Sequence, residues 1–176
     1  MGGDGPTALQ QLRAVMVPFT ATIVIPTIII LRYSTRDAAI LRGHKYGQAI
    51  VRFVGSAVWA AGVSVLFASI ASFHKQGKGT LEPWARPKHL VVTGLYVRNS
   101  MYLGVFAMLL GEAFIFNNKN LLLMLLIFMA VQAINVPLHE EWVLRKSFGD
   151  EFTEYCKNVP RWIPRLHPYT PAKRDE

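Results

Sequence analysis

The sequence predicts an all-α integral membrane protein with about four transmembrane helices, forming a single membrane domain over residues 1–176. Three observations lead there. Hydrophobic residues make up 52% of the chain and charged ones only 17%, with a mean hydropathy of +0.27. The apolar residues are gathered into four runs, and the 19 Lys+Arg that outweigh 11 Asp+Glu fall mostly outside those runs. A chain of this length supports one ordinary domain. Its net charge of +8 comes with too little total charge and too many long apolar runs for a nucleic-acid partner. The single cysteine, Cys156, excludes an internal disulfide framework and a multi-thiolate zinc site, and no metal site is expected.

A membrane helix needs roughly 20 predominantly apolar residues, within a range of about 17–25. Residues 14–31 give 18 without a charge, interrupted by Pro18 and Pro26, which membrane helices tolerate as kinks. Residues 53–73 give 21 and residues 121–138 give 18, again charge-free. The third run, Met101–Phe116, holds Glu112 and reaches full length only with Asn99 and Ser100 added, so its helix is set at 99–116. Glu112 lies four residues from the end of that run, where it either reaches the interface or acts as an intramembrane acid. Gln132 and Asn135 in the fourth run line a polar cavity or bond between helices.

The turn at residues 117–120 is short, so the last two helices form an antiparallel hairpin. The loop at 74–98 and the tail at 139–176 then share one face of the membrane. With four crossings that face also holds Arg13, for 13 of the 19 Lys+Arg. The positive-inside rule puts it, with both termini, in the cytoplasm.

Two polar stretches on this face carry the candidate chemistry. In the loop, Gly77-Lys78-Gly79-Thr80 fails the phosphate-loop pattern but keeps a Gly-x-Gly turn, which lets backbone amides approach a ligand. In the tail, His139-Glu140-Glu141 lacks the second histidine of a zinc protease, since position 143 is Val143. The two carboxylates either end an interfacial helix, with Arg145 as the ion-pair partner of Glu141, or accept hydrogen bonds from a polar ligand. Cys156 is expected to be a packed thiol.

In this order, the stretches resemble the isoprenylcysteine carboxyl methyltransferase and phospholipid methyltransferase family of integral membrane enzymes. The matches are Gly77-Lys78-Gly79-Thr80, Leu90-Val91 with Gly94 and Tyr96, and Arg98-Asn99 with Tyr102. Further on come Glu140-Glu141, Phe148-Gly149 with Phe152 and Tyr155, and Val159-Pro160-Arg161. The resemblance covers about residues 74–165. It implies S-adenosyl-L-methionine as cofactor, held by Gly77, Gly79, Lys88, His89, Leu90, Val91, Tyr96, Asn99, Ser100, Met101, Tyr102 and Glu140. It places the cofactor site between the loop before the third helix and the C-terminal helical tail.

The implied reaction is methyl transfer to a lipophilic acceptor drawn from the bilayer, a prenylcysteine carboxylate or a phospholipid amine. Glu141 or His139 would take a proton from an amine acceptor, and Arg98 and Arg161 would bind substrate. The implied location is the endoplasmic reticulum in a eukaryote and the inner or plasma membrane in a prokaryote. Three departures stand out: Ser100 and Leu81 replace prolines, and Val136 stands where prenylcysteine enzymes carry an arginine. They carry the alternative, a non-catalytic relative acting as a membrane scaffold or lipid-binding partner.

Overall fold

The computed structural model describes residues 19–33, 39–40, 45–77, 96–167 and 169. Among the described residues every regular element is helical, and one isolated bridge pairs Ala39 with Asn118. The chain runs through a π-helical turn at Thr20–Val24 into α1 (Ile25–Tyr33), then α2 (Lys45–Gly77) and α3 (Ser100–Ile115). It continues through α4 (Lys119–Asn135), a second π turn (Val136–Glu140) and α5 (Glu141–Asn158). Both π turns lie at a proline, Pro26 just after the first and Pro137 within the second. A proline lacks the N–H of the regular ladder, and a one-residue expansion of the turn relieves the mismatch.

Two helical stretches are long and apolar enough to cross a membrane, Lys45–Ser72 and Lys119–Asn158. The other two apolar helices, Thr20–Tyr33 and Ser100–Ile115, are shorter. At 16 residues, α3 measures about 24 Å against a hydrocarbon core of about 30 Å. The 33-residue α2 measures about 50 Å. It begins eight residues before the expected run and ends four after it, so His74 to Gly77 are helical, not part of the loop. Hydropathy stops at the first charge, whereas a helix continues into the polar zone.

α2 and α3 pack against each other along a seam of small residues. Gly55, Gly62 and Ser69 repeat every seven residues and are buried, with Gly55 facing Gly111 and Gly62 facing Gly104 of α3. A Cβ on Gly62 would stand 2.7 Å from the carbonyl oxygen of Gly104. One on Gly111 would stand 2.7 Å from that of Gly55. Lipid tails give apolar helices no hydrophobic reason to associate, so close backbone approach and dispersion hold such a pair.

Glu112 is buried in this contact, 8% exposed, and accepts from Trp59 Nε1 at 3.4 Å. It faces α2 rather than solvent. α4 packs on α3 through Val105, Leu109 and Leu125. The turn joining them is closed by Asn117 at φ +50°, a conformation asparagine tolerates. Asn118 there caps α4 through Asn120 N–H at 2.9 Å and donates to the Tyr33 carbonyl at 3.4 Å.

Candidate active site

The site forms where the start of α3 meets the α4–α5 junction and the segment after α5. Val159-Pro160 ends α5, because the residue before a proline is driven to extended backbone, and Val159 sits at φ −120°, ψ 118°. The chain then runs back alongside α3. Arg98 N–H donates to the Pro160 carbonyl at 3.0 Å, and Arg165 N–H to the Tyr96 carbonyl at 2.8 Å. Asn99 Nδ2 donates to the Arg161 carbonyl at 3.2 Å. Gly149, at φ +51° and ψ −121° inside α5, makes the bend before the second half of that helix, where Phe152 and Tyr155 pack with Val159.

At the centre is Glu141, its side chain 9% exposed. Arg161 meets it as a fork, Nε to Oε1 at 2.7 Å and Nη2 to Oε2 at 2.9 Å. Arg98 Nη1 adds a third bond to Oε1 at 2.9 Å and also reaches Cys156 Sγ at 3.0 Å. The hydrogen bonding to Glu141 raises the Arg161 pKa above its ordinary value. Arg145, the expected i+4 partner, is exposed instead. Partners 43 and 20 residues away outcompete it, because a buried carboxylate needs donors that are buried with it.

Glu140, one residue earlier, faces a different set. Its Oε1 accepts from the Tyr102 hydroxyl and from Asn135 Nδ2 at 3.0 Å. Among the described residues both bonds fall on that one oxygen. Asn135 Nδ2 also lies 3.5 Å from Gln132 Oε1, so the two polar residues of α4 belong to this cluster. The Asn99 side chain makes no capping bond to α3, leaving the first-turn amides of Ser100, Met101 and Tyr102 without a side-chain acceptor. Ser100 Oγ and Arg98 Nε are enclosed without a hydrogen-bond partner among the described residues. Trp162 closes the apolar side, its ring centroid 6.4 Å from that of Tyr102 and 5.9 Å from that of Phe106.

Of the residues expected at the site, Arg98, Asn99, Ser100, Tyr102, Glu140, Glu141 and Arg161 come together here, with Met101 in the same helical turn. Tyr96 contributes its carbonyl, and the residue is 47% exposed. His139 is exposed beside Glu140. Gly77 is the last residue of α2, and Gly79, Lys88, His89, Leu90 and Val91 lie outside the described residues. Sequence reasoning missed the Cys156–Arg98 contact and the part of Trp162. It also missed that Arg98 and Arg161 share one carboxylate. Among the described residues no group of three or more His, Cys, Asp or Glu could share a metal ion.

Two helical stretches long and apolar enough to cross a membrane thus accompany a polar cluster gathered where the start of α3 meets the α4–α5 junction, the outline of a helical membrane protein. The chain belongs to the phospholipid methyltransferase family, whose model matches residues 50–151. That span covers most of α2, all of α3 and α4, and the Glu140-Glu141 pair. Membership implies membrane methyltransferase activity in the broad sense. No curated protein and no solved structure is similar enough to the chain to count as a match.

Proposed function

We propose that the chain transfers a methyl group from S-adenosyl-L-methionine to a lipophilic acceptor in the bilayer, a phospholipid amine rather than a prenylcysteine carboxylate. The observation that carries this reading is the Tyr102–Glu140–Asn135 set beside the uncapped first turn of α3. The donor set suits the cofactor. Glu140 keeps an oxygen for ribose hydroxyls or an amino group. The first-turn amides of Ser100, Met101 and Tyr102, uncapped by Asn99, suit a carboxylate at a helix N-terminus, and Ser100 Oγ and Arg98 Nε, without a partner among the described residues, add donors.

When bound, the cofactor supplies a methyl group already activated by its sulfonium centre. The protein's part is to align the acceptor and keep water out. Asn135 and Tyr102 hold the Glu140 carboxylate in one orientation. Glu141 is taken up by Arg98 and Arg161, so its service is to fix the α3 entrance against the tail. Of the two groups expected to take a proton from an ammonium acceptor, His139 is the one left free to do so. Both arginines are engaged by Glu141, and Val136, buried at 1% exposure, stands where the resemblance places the arginine that binds a prenylcysteine carboxylate, which favours the amine acceptor. The site face is read as cytoplasmic from its 13 of 19 Lys+Arg.

The test is transfer of labelled methyl into vesicles of defined lipid, with phosphatidylethanolamine and a prenylcysteine analogue offered side by side. Label in the amine lipid is the expected result. Label only in the prenylcysteine would reverse the acceptor assignment. If calorimetry finds no binding of the demethylated cofactor at high micromolar concentration, the enzyme reading falls and the scaffold alternative stands.

A further inference from the structure

The segment after α5 leaves two large apolar side chains outward: Ile163 is 76% exposed and Leu166 91%. Ile163 follows Trp162 directly and Leu166 lies four residues on, beside the entrance of α3; the contacts of Trp162 set the depth of the turn's tip. Its ring touches Tyr102 and Phe106, and Phe106 in turn packs edge-on against Phe128 of α4 at 5.8 Å. Phe106 lies six residues into α3, about 9 Å along the helix axis. Trp162 therefore stands at the level of apolar helix wall, below the Glu141 cluster. Pro160 and Pro164 bracket the turn and keep it from continuing as helix. The bond from Arg165 N–H to the Tyr96 carbonyl ties it to the entrance of α3.

The wall from the end of α4 to the start of α5 is also apolar and outward-facing, with Ile134 62%, Leu138 72% and Trp142 53% exposed. Lys146 lies over the Trp142 ring at 3.8 Å from its centroid, the pairing of aromatic and cation found at a headgroup boundary.

The geometry points to residues 162–166 as a re-entrant hook that inserts Ile163 and Leu166 into the leaflet bearing the site. Its occupant is lipid, at the boundary between headgroups and acyl chains. Depth argues for this, as does continuity with the exposed face of α4. The inference rests on the membrane reading and not on methyl transfer.

The test uses the full chain in phospholipid vesicles. Ile163→Cys and Leu166→Cys, each in a Cys156→Ser background, carry an environment-sensitive fluorophore, with Lys157→Cys as the exposed reference. Labels at 163 and 166 are expected to be quenched several-fold more by shallow doxyl lipid than by aqueous iodide, with the order reversed at 157. Iodide quenching at 163 and 166 equal to that at 157 overturns the hook. So does protection from both quenchers, which would place a second copy of the chain or another protein on this surface. In parallel, the unsubstituted chain is labelled with a photoactivatable lipid and mapped by mass spectrometry. Adducts are expected on residues 162–166 as well as on α4, and adducts on α4 alone count against the proposal. Neither readout requires turnover, so it fails or stands apart from the proposed activity.

Discussion

Arg161 meets Glu141 fork to fork, Nε to Oε1 at 2.7 Å and Nη2 to Oε2 at 2.9 Å, and so joins the segment after α5 to the start of that helix. Arg98 completes the triad from the start of α3. One carboxylate thus locks three parts of the chain that are distant in sequence.

Removing that carboxylate leaves two guanidinium groups facing each other in a largely buried place. Breaking a buried pair from one side costs about 3–5 kcal/mol. Glu141→Ala is therefore expected to lower the unfolding midpoint in detergent sharply. Arg161→Lys keeps the charge but loses the fork, and should cost less than Glu141→Ala. Equal midpoints for Glu141→Ala and wild type would mean that the triad carries no stability.

Glu140 should behave differently from its neighbour, since it keeps an oxygen for a ligand while Glu141 does not. A hydrogen bond to a charged group contributes about 1.5–3 kcal/mol, which corresponds to roughly 10- to 100-fold in affinity. Glu140→Gln is expected to weaken binding of the demethylated cofactor by that factor in calorimetry, with little change in melting temperature. Tyr102→Phe should weaken binding less, because Asn135 still orients the carboxylate. A Glu140→Gln protein with unchanged affinity would remove this residue from the cofactor site.

The four apolar runs, the hairpin of α3 and α4, and the family were legible in the sequence because each rests on local composition or on ordered short motifs. The α2–α3 seam was written there too, as the seven-residue spacing of Gly55 with Gly62 and of Gly104 with Gly111. Averaged hydropathy hides it, since small residues barely alter the mean. The Arg98–Glu141–Arg161 triad was not legible. Its members are 43 and 20 residues apart, and only the turn back after Pro160 brings them together. The local pairing with Arg145 was the natural guess, and it loses because Arg145 stays in solvent.

The seam predicts a severe response to bulk. At Gly62 a Cβ would already stand 2.7 Å from one backbone atom and 2.8 Å from another, the Gly104 carbonyl oxygen and the Met108 nitrogen. Backbone cannot swing aside as the end of a side chain can. Gly62→Leu must therefore separate α2 from α3, and overpacking of this kind costs about 1–3 kcal/mol or more. A disulfide trap between Ala57→Cys, exposed on α2, and an α3 partner would not report this. The melting midpoint and protease resistance of purified Gly62→Leu would, and both are expected to fall well below those of Ala60→Leu, an exposed position on the same helix.

Gly149 isolates backbone strain from packing. A Cβ there would meet nothing within 4 Å, so any cost of Gly149→Ala comes from holding φ at +51°. Sparsely populated backbone conformations cost about 1–3 kcal/mol in residues other than glycine. The bend also sets where the second half of α5 places Cys156 against Arg98. Gly149→Ala is thus expected to lower the melting midpoint and to make Cys156 react faster with a thiol reagent as the bend relaxes. A Gly149→Asn protein should recover part of both, because asparagine tolerates positive φ better than alanine. If Gly149→Ala melts and reacts like wild type, the bend at 149 is not what holds the tail against α3.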